Sequence, residues 1–125
     1  MGRAIGKGSV RMRMFVEPPA IYLCRQAVDF RKSINGLALI VEQSVERNPF
    51  DEALYLFTNR ARNKIKILYW DTTGFALWYK RLERNRFKWP CKNSTEYMEL
   101  NDQQLQWLLG GFDIVGHAPF FHSAA

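Results

Sequence analysis

The sequence is poor in the residue types on which most side-chain chemistry rests. Its two histidines, His117 and His122, both lie near the C-terminal end, so a zinc site built on them needs further ligands, and no metal is expected on these side chains. The two cysteines, Cys24 and Cys91, are 67 positions apart and belong to no CxxC pair. They read as reduced, partly buried thiols rather than as a disulfide or a catalytic thiol. No apolar run approaches the roughly 18 residues of a membrane span; the longest are short pieces such as residues 37–41. A targeting segment is missing too: MGRAIGKGSVRMR carries four cations and no acid, but it has no apolar core of the secretory kind. Residues 1–13 read as a basic leader without fixed structure, or as an extension upstream of Met12 or Met14, in preference to a DNA-gripping arm, and a cytoplasmic protein without a membrane partner is expected.

What is present is one domain's worth of ordinary globular sequence. The chain has 125 residues, 47% hydrophobic and 24% charged, which excludes whole-chain disorder. Its net charge of +6 favours polyanionic partners and says nothing of fold. That charge is local. Residues 60–92, RARNKIKILYWDTTGFALWYKRLERNRFKWPCK, hold ten Lys or Arg against Asp71 and Glu83, so this stretch is +8 and the remainder is −2. Trp70, Trp78, Trp89, Tyr69 and Tyr79 fall among these cations. Basic residues interleaved with aromatics mark a candidate nucleic-acid face.

In chain order, residues 21–23 after the Pro18-Pro19 pair read as a first strand. From Phe30 the apolar positions Phe30, Ile34, Leu37, Ala38, Val41 and Val45 share one helical face, so a long helix is predicted, capped by Asp29 and ended by Asn48 and Pro49. Gly36 within it predicts close packing against a sheet. Residues 53–58 form a strand, residues 59–63 a polar loop, and residues 64–70 a strand with Ile65, Ile67 and Tyr69 opposite Lys64, Lys66, Leu68 and Trp70. In the turn 71–74, Gly74 supplies a positive φ. Residues 75–82 alternate again, with Phe75, Leu77 and Tyr79 on one face; Asn85 suits a left-handed turn position, and residues 87–89 return as a strand stopped by Pro90. A short strand at 97–100 leads to a last helix with Asn101 and Gln104 at capping-box spacing.

The fold expected is α+β: a single domain over residues 14–116, with an antiparallel meandering sheet of about four or five strands covered on one face. One long helix precedes it and a short helix stands at the C-terminal end. Residues 117–125 read as tail, with Phe120 and Phe121 able to dock.

Together these strings resemble a known family. DFRKSINGLALIVEQ at 29–43, NPF at 48–50, KIKILYWDTTGFALWYKRLERNRFKWP at 64–90 and the Leu100 to Leu105 helix start are similar, over about 90 residues, to TnpB of the sixty-six family of insertion sequences. This accessory TnpB is unrelated to the RNA-guided nuclease of the same name. The resemblance implies a small bacterial protein encoded beside a separate large DDE-type transposase and needed for movement of the element. The chain departs from the family at 24–28, CRQAV, where Thr-Gly-Pro-Thr is common after a small residue, and at Asn85, where glycine is common.

Three chemistries compete for the central stretch. As a DNA-binding surface, Arg60, Arg62, Lys64, Lys66, Lys80, Arg81, Arg84, Arg86 and Lys88 would neutralise phosphates, with the arginine-tipped loop sized for a groove; the bland alternative is a solvated charged face that blunts strand edges. As a stacking surface, Trp70 and Trp78 share faces with lysines and are candidate platforms, whereas Tyr69 and Tyr79 lie on apolar faces and are assigned to packing. As an enzyme, the stretch offers too few carboxylates to converge on two metal ions, and Ser33 has no histidine near it in sequence. The chain is therefore read as non-catalytic, with no cofactor, contacting DNA at the element ends or, alternatively, the large transposase as a protein adaptor. No motif sets an oligomeric state.

Overall fold

A computed structural model describes residues 19–90 and 96–114. The leader, Cys91, both histidines, Phe120 and Phe121 lie outside the described residues.

Five strands form one mixed sheet in the order β4-β3-β2-β1-β5. They are β1 (Ala20–Cys24), β2 (Ala53–Thr58), β3 (Lys64–Asp71), β4 (Gly74–Arg81) and β5 (Tyr97–Leu100). The expected antiparallel meander holds only for β2, β3 and β4, which pair in sequence order. β1 runs parallel to β2, with Ala20 opposite Ala53 and Leu23 opposite Leu56, and β5 closes the far edge antiparallel to β1. Parallel neighbours need a crossover. The helical segment between them supplies it, so the α+β domain contains a β-α-β unit.

That helical segment is shorter than its apolar spacing suggested. Helix α1 covers Ile34–Ile40 and continues as a π-helical stretch, Val41–Val45, until Glu46 adopts a left-handed conformation with φ 58°. Leu37, Val41 and Val45 are buried and Phe30, Ile34 and Ala38 pack beside them, so the predicted face is the real one. Its predicted cap is not. Asp29 instead closes a turn ahead of the helix, its backbone carbonyl accepting from Lys32 N–H and its carboxylate from Arg31, while Ser33 occupies the cap position without a side-chain bond. A methyl on Gly36 would meet the Lys32 side chain at 3.2 Å, so this glycine accommodates its own neighbouring turn and not the sheet.

The sheet is covered on both faces, not one. Tyr22, Cys24, Tyr55, Phe57 and Leu68 pack under α1 and the π-helical stretch. Ile21, Leu23, Leu54, Leu56, Ile65 and Ile67 pack under α2 (Asp102–Leu109), together with Phe87 and Trp89. Every residue of β2 is buried, as the central strand between two layers must be. The Asn101 capping box forms as expected: the Asn101 side chain accepts from Gln104 N–H at 2.8 Å, and the Gln104 side chain accepts from Asn101 N–H at 2.9 Å.

Three local expectations change. Residues 87–89 are not a strand; this segment is held by Phe87 N–H on the Arg62 carbonyl at 2.7 Å and by Trp89 Nε1 on the buried Cys24 carbonyl at 2.9 Å. In the β3–β4 turn the left-handed residue is Thr72, with φ 51°, while Gly74 pairs with Asp71 in the ladder. Tyr79 is 50% exposed, because the α1 layer leaves this end of the edge strand uncovered.

Candidate nucleic-acid interface

The carboxyl ends of the parallel strands β1 and β2 lie at one end of the sheet, and the antiparallel pairing brings the start of β3 and the finish of β4 to the same end, where Lys64 stands opposite Arg81. Three connections leave from this end: residues 25–33 after β1, residues 59–63 after β2 and residues 82–90 after β4. They are fastened to one another. Leu82 N–H donates to the Asn63 carbonyl at 2.8 Å and Phe87 N–H to the Arg62 carbonyl, so the loop after β4 lies along the hairpin tip. Farther on, Arg25 Nη1 donates to the Pro90 carbonyl at 3.4 Å, and Val28 N–H to the Thr58 carbonyl at 2.9 Å.

The hairpin tip is rigid because its own side chains replace the missing ladder bonds. Asn59 Oδ1 accepts from the N–H groups of Asn63 and Lys64, both at 3.1 Å, and Asn59 Nδ2 donates to Asn63 Oδ1 at 2.8 Å. Arg62 takes the left-handed conformation that this tight loop requires, with φ 61°. Asn85 does the same between Arg84 and Arg86, with φ 52°, as its short polar side chain allows.

Of the nine cations singled out in the sequence, the fold brings seven together here: Arg60, Arg62, Lys64, Arg81, Arg84, Arg86 and Lys88. Arg60, Arg81, Arg84, Arg86 and Lys88 are exposed, and Arg62 and Lys64 are half-buried. Arg81 is ion-paired with Glu83 at 3.0 Å on the open surface, where such a pair is weak and leaves the cation available. The other two cations point elsewhere. Lys66 Nζ donates to the carbonyls of Phe30 at 2.9 Å and Lys32 at 3.3 Å and sits over the Phe30 ring. Lys80 Nζ donates to the Leu109 carbonyl at 2.9 Å. Both serve packing.

The candidate stacking residues do not join this end. Trp78 stands opposite Ile67 and packs on the α2-side core. Trp70 lies near the far turn, in edge contact with Phe50 at 4.9 Å and Phe75 at 5.0 Å. Tyr69 packs against the α2-side core, and burial raises its phenol pKa, which agrees with its packing assignment.

Between the first two connections lies a cleft of 570 Å³, lined by Ala27, Val28, Asp29, Phe30, Arg31, Asn59, Arg60, Ala61 and Lys64. Asp29 is clamped by the Arg31 guanidinium at 2.7 Å, which holds its carboxyl well below the usual range and leaves it anionic. Arg31, with Lys32, is a candidate contact in the sequence, because a cation near a helix N-terminus opposes the dipole; residues 25–30 carry no such signal. They reach the site because the parallel crossover turns this loop toward the hairpin tip.

Acids collect at the opposite end, where Asp51 and Glu52 precede β2, Asp71 opens the β3–β4 turn and Asp102 starts α2. Lys64 and Asp71, at the two ends of β3, are separated by roughly 23 Å at the usual strand rise. Among the described residues no three His, Cys, Asp or Glu side chains gather as a metal site, and no helix is long and apolar enough to cross a membrane.

The model of the IS66 Orf2-like protein family matches residues 19–118, which span the whole sheet and both helices. The chain belongs to the IS66 Orf2-like family. It is also similar to two uncharacterized proteins of Sinorhizobium fredii (strain NBRC 101917 / NGR234). One, y4hO, is 32% identical over 93 residues, 74% of this chain and 80% of the relative. The other, y4jC, is 29% identical over 94 residues, 74% of this chain and 79% of the relative. No solved structure gives a significant match. Membership of the IS66 Orf2-like family fits a transposition accessory role, and the basic end of the sheet lies wholly within the matched residues.

Proposed function

We propose that this IS66 Orf2-like protein is a non-catalytic accessory factor of transposition that binds DNA through the basic end of its sheet and acts in the cytoplasm beside the large DDE-type transposase of its element. The observation that carries this reading is the gathering of Arg60, Arg62, Arg84, Arg86 and Lys88, on connections bonded to one another, with Lys64 and Arg81 at the adjoining ends of β3 and β4. Cations held on one rigid end can meet several phosphates with little ordering on binding. Asp51, Glu52, Asp71 and Asp102 sit at the other end, so the field is directed and a DNA partner would be steered to one side of the molecule. Catalysis has little support in the geometry: Asp29 and Glu83 are each paired with an arginine, and Asp71 is a strand's length from the basic end.

A titration of fluorescent element-end DNA across salt tests the reading. Binding should weaken steeply, by roughly 0.9 in log K per log salt for each phosphate neutralised. Replacing Arg60, Arg62, Arg84 and Arg86 together by alanine should flatten that slope, whereas Lys66→Met should not change it.

A second reading is a protein adaptor that meets the transposase without touching DNA. It is favoured by the aromatic cluster at the far end, where Phe50 is 53% exposed while contacting Trp70 and Phe75. Absence of DNA binding at low salt, with the transposase still captured from nuclease-treated lysate, would decide for the adaptor.

A further inference from the structure

The cleft between the residue 27–31 loop and the hairpin tip differs in kind from the cationic surface around it. It lies outside the carboxyl ends of β1 and β2, between the loop after β1 and the hairpin tip after β2. Its volume of 570 Å³ is that of a small-molecule site, within the usual span of roughly 300 to 1,000 Å³. A duplex, whose major groove alone is roughly 12 Å wide, does not enter it. Its walls are of two sorts. Ala27, Val28, Phe30 and Ala61 offer apolar and aromatic surface, while Arg31, Arg60 and Lys64 outnumber the single carboxylate of Asp29. An apolar wall beside net positive charge suits a group that has a flat hydrophobic part and an anionic part. The site is also preformed, since Asn59 bonds fix the tip on one side and Val28 N–H is bonded to the Thr58 carbonyl on the other.

We propose that this cleft seats one unpaired nucleotide of a DNA strand, its base against Phe30 and Val28 and its phosphate between Arg60 and Lys64. The inference rests on the DNA-binding reading and deepens it: the protein would favour a duplex bearing a single-stranded extension, or a locally opened one, over a closed blunt duplex.

The test uses the full chain, with a blunt fluorescent duplex and the same duplex carrying a short single-stranded extension. The extended duplex should bind about tenfold more tightly, as one base–aromatic contact allows. Ala27→Trp, at an exposed position, fills the cleft without altering charge. It should abolish the preference and leave blunt-duplex affinity unchanged. In the native chain, 5-iodouracil placed in the extension should cross-link to residues 27–31 or 59–64, and this readout decides alone if circular dichroism shows the variant misfolded. Equal binding of both duplexes, or cross-links elsewhere, overturns the proposal while the basic-end reading stands. Binding to neither duplex overturns both.

Discussion

Lys80 and Leu109 join the edge of the sheet to the end of the last helix: the Lys80 ammonium donates to the Leu109 carbonyl at 2.9 Å. The contact places a full positive charge on the negative end of the α2 dipole and satisfies a carbonyl that the helix itself leaves unpaired. Lys80→Met should therefore lower stability by about 1 kcal/mol in urea unfolding. Its effect on the salt dependence of DNA binding should be negligible, and a flattened slope would return Lys80 to the phosphate-contacting set.

Trp89→Phe tests how the segment after β4 is held. Trp89 is buried, and its indole N–H is the partner of the Cys24 carbonyl across 65 positions of sequence. Phenylalanine keeps most of the packing and leaves that carbonyl unsatisfied, at an expected loss of about 1 to 3 kcal/mol in thermal or urea unfolding. Loss of this anchor should also weaken DNA binding, because Lys88 and Arg86 ride on the same segment.

Thr72 is a β-branched residue at φ 51°, a conformation that costs an L side chain about 1 to 2 kcal/mol. Thr72→Gly should stabilise the protein by about 1 kcal/mol, since the strain relieved exceeds the entropy added to the unfolded chain. The same substitution at Gly74's partner, Asp71→Gly, should bring no such gain. Urea midpoints measured side by side decide it.

Alkaline pH should unfold the protein through Tyr55. Burial is the main cause that pushes its phenol up to about 12 from an ordinary value of 10.0, with Asp51 adding to the shift. The folded state then holds a proton that the unfolded chain gives up earlier, so this contribution is complete below pH 10 and is lost as pH rises toward 12. Tyr69 is raised in the same sense by burial. Tyrosinate absorbance should rise together with loss of circular dichroism in that window, and Tyr55→Phe should hold structure to higher pH.

Much of the local structure was legible in the residues. The apolar face of α1 and the π-helical stretch follows from Leu37, Val41 and Val45; the α2 start follows from Asn101 and Gln104; the left-handed Asn85 follows from its short amide side chain; and the inward positions of β3 follow from alternation at Ile65 and Ile67. One signal was there to be used and was not. Residues 53–57, ALYLF, do not alternate, as befits a central strand buried from both sides, and that pattern argues against a sheet covered on one face.

For the candidate site, sequence located the charge but not its arrangement. Residues 60–92 were visibly basic, yet nothing local separates Lys64, which faces the cleft, from Lys66, whose ammonium is engaged by the carbonyls of Phe30 and Lys32. Nor does anything local bring Arg31 within reach of Arg60.

By itself the sequence determined most of the helical and extended segments, the apolar faces of the helical segment and of β3, the left-handed Asn85 and where the positive charge is concentrated, because each of these depends on neighbours a few positions apart; residues 87–89 and the Thr72 turn escaped it. Only the tertiary structure decided that β1 lies parallel to β2, which helical segment covers which face and that the loops after β1, β2 and β4 meet at one basic end. Strand order is a choice among long-range pairings, made by burying both faces of β2 at once, and no single segment carries that information.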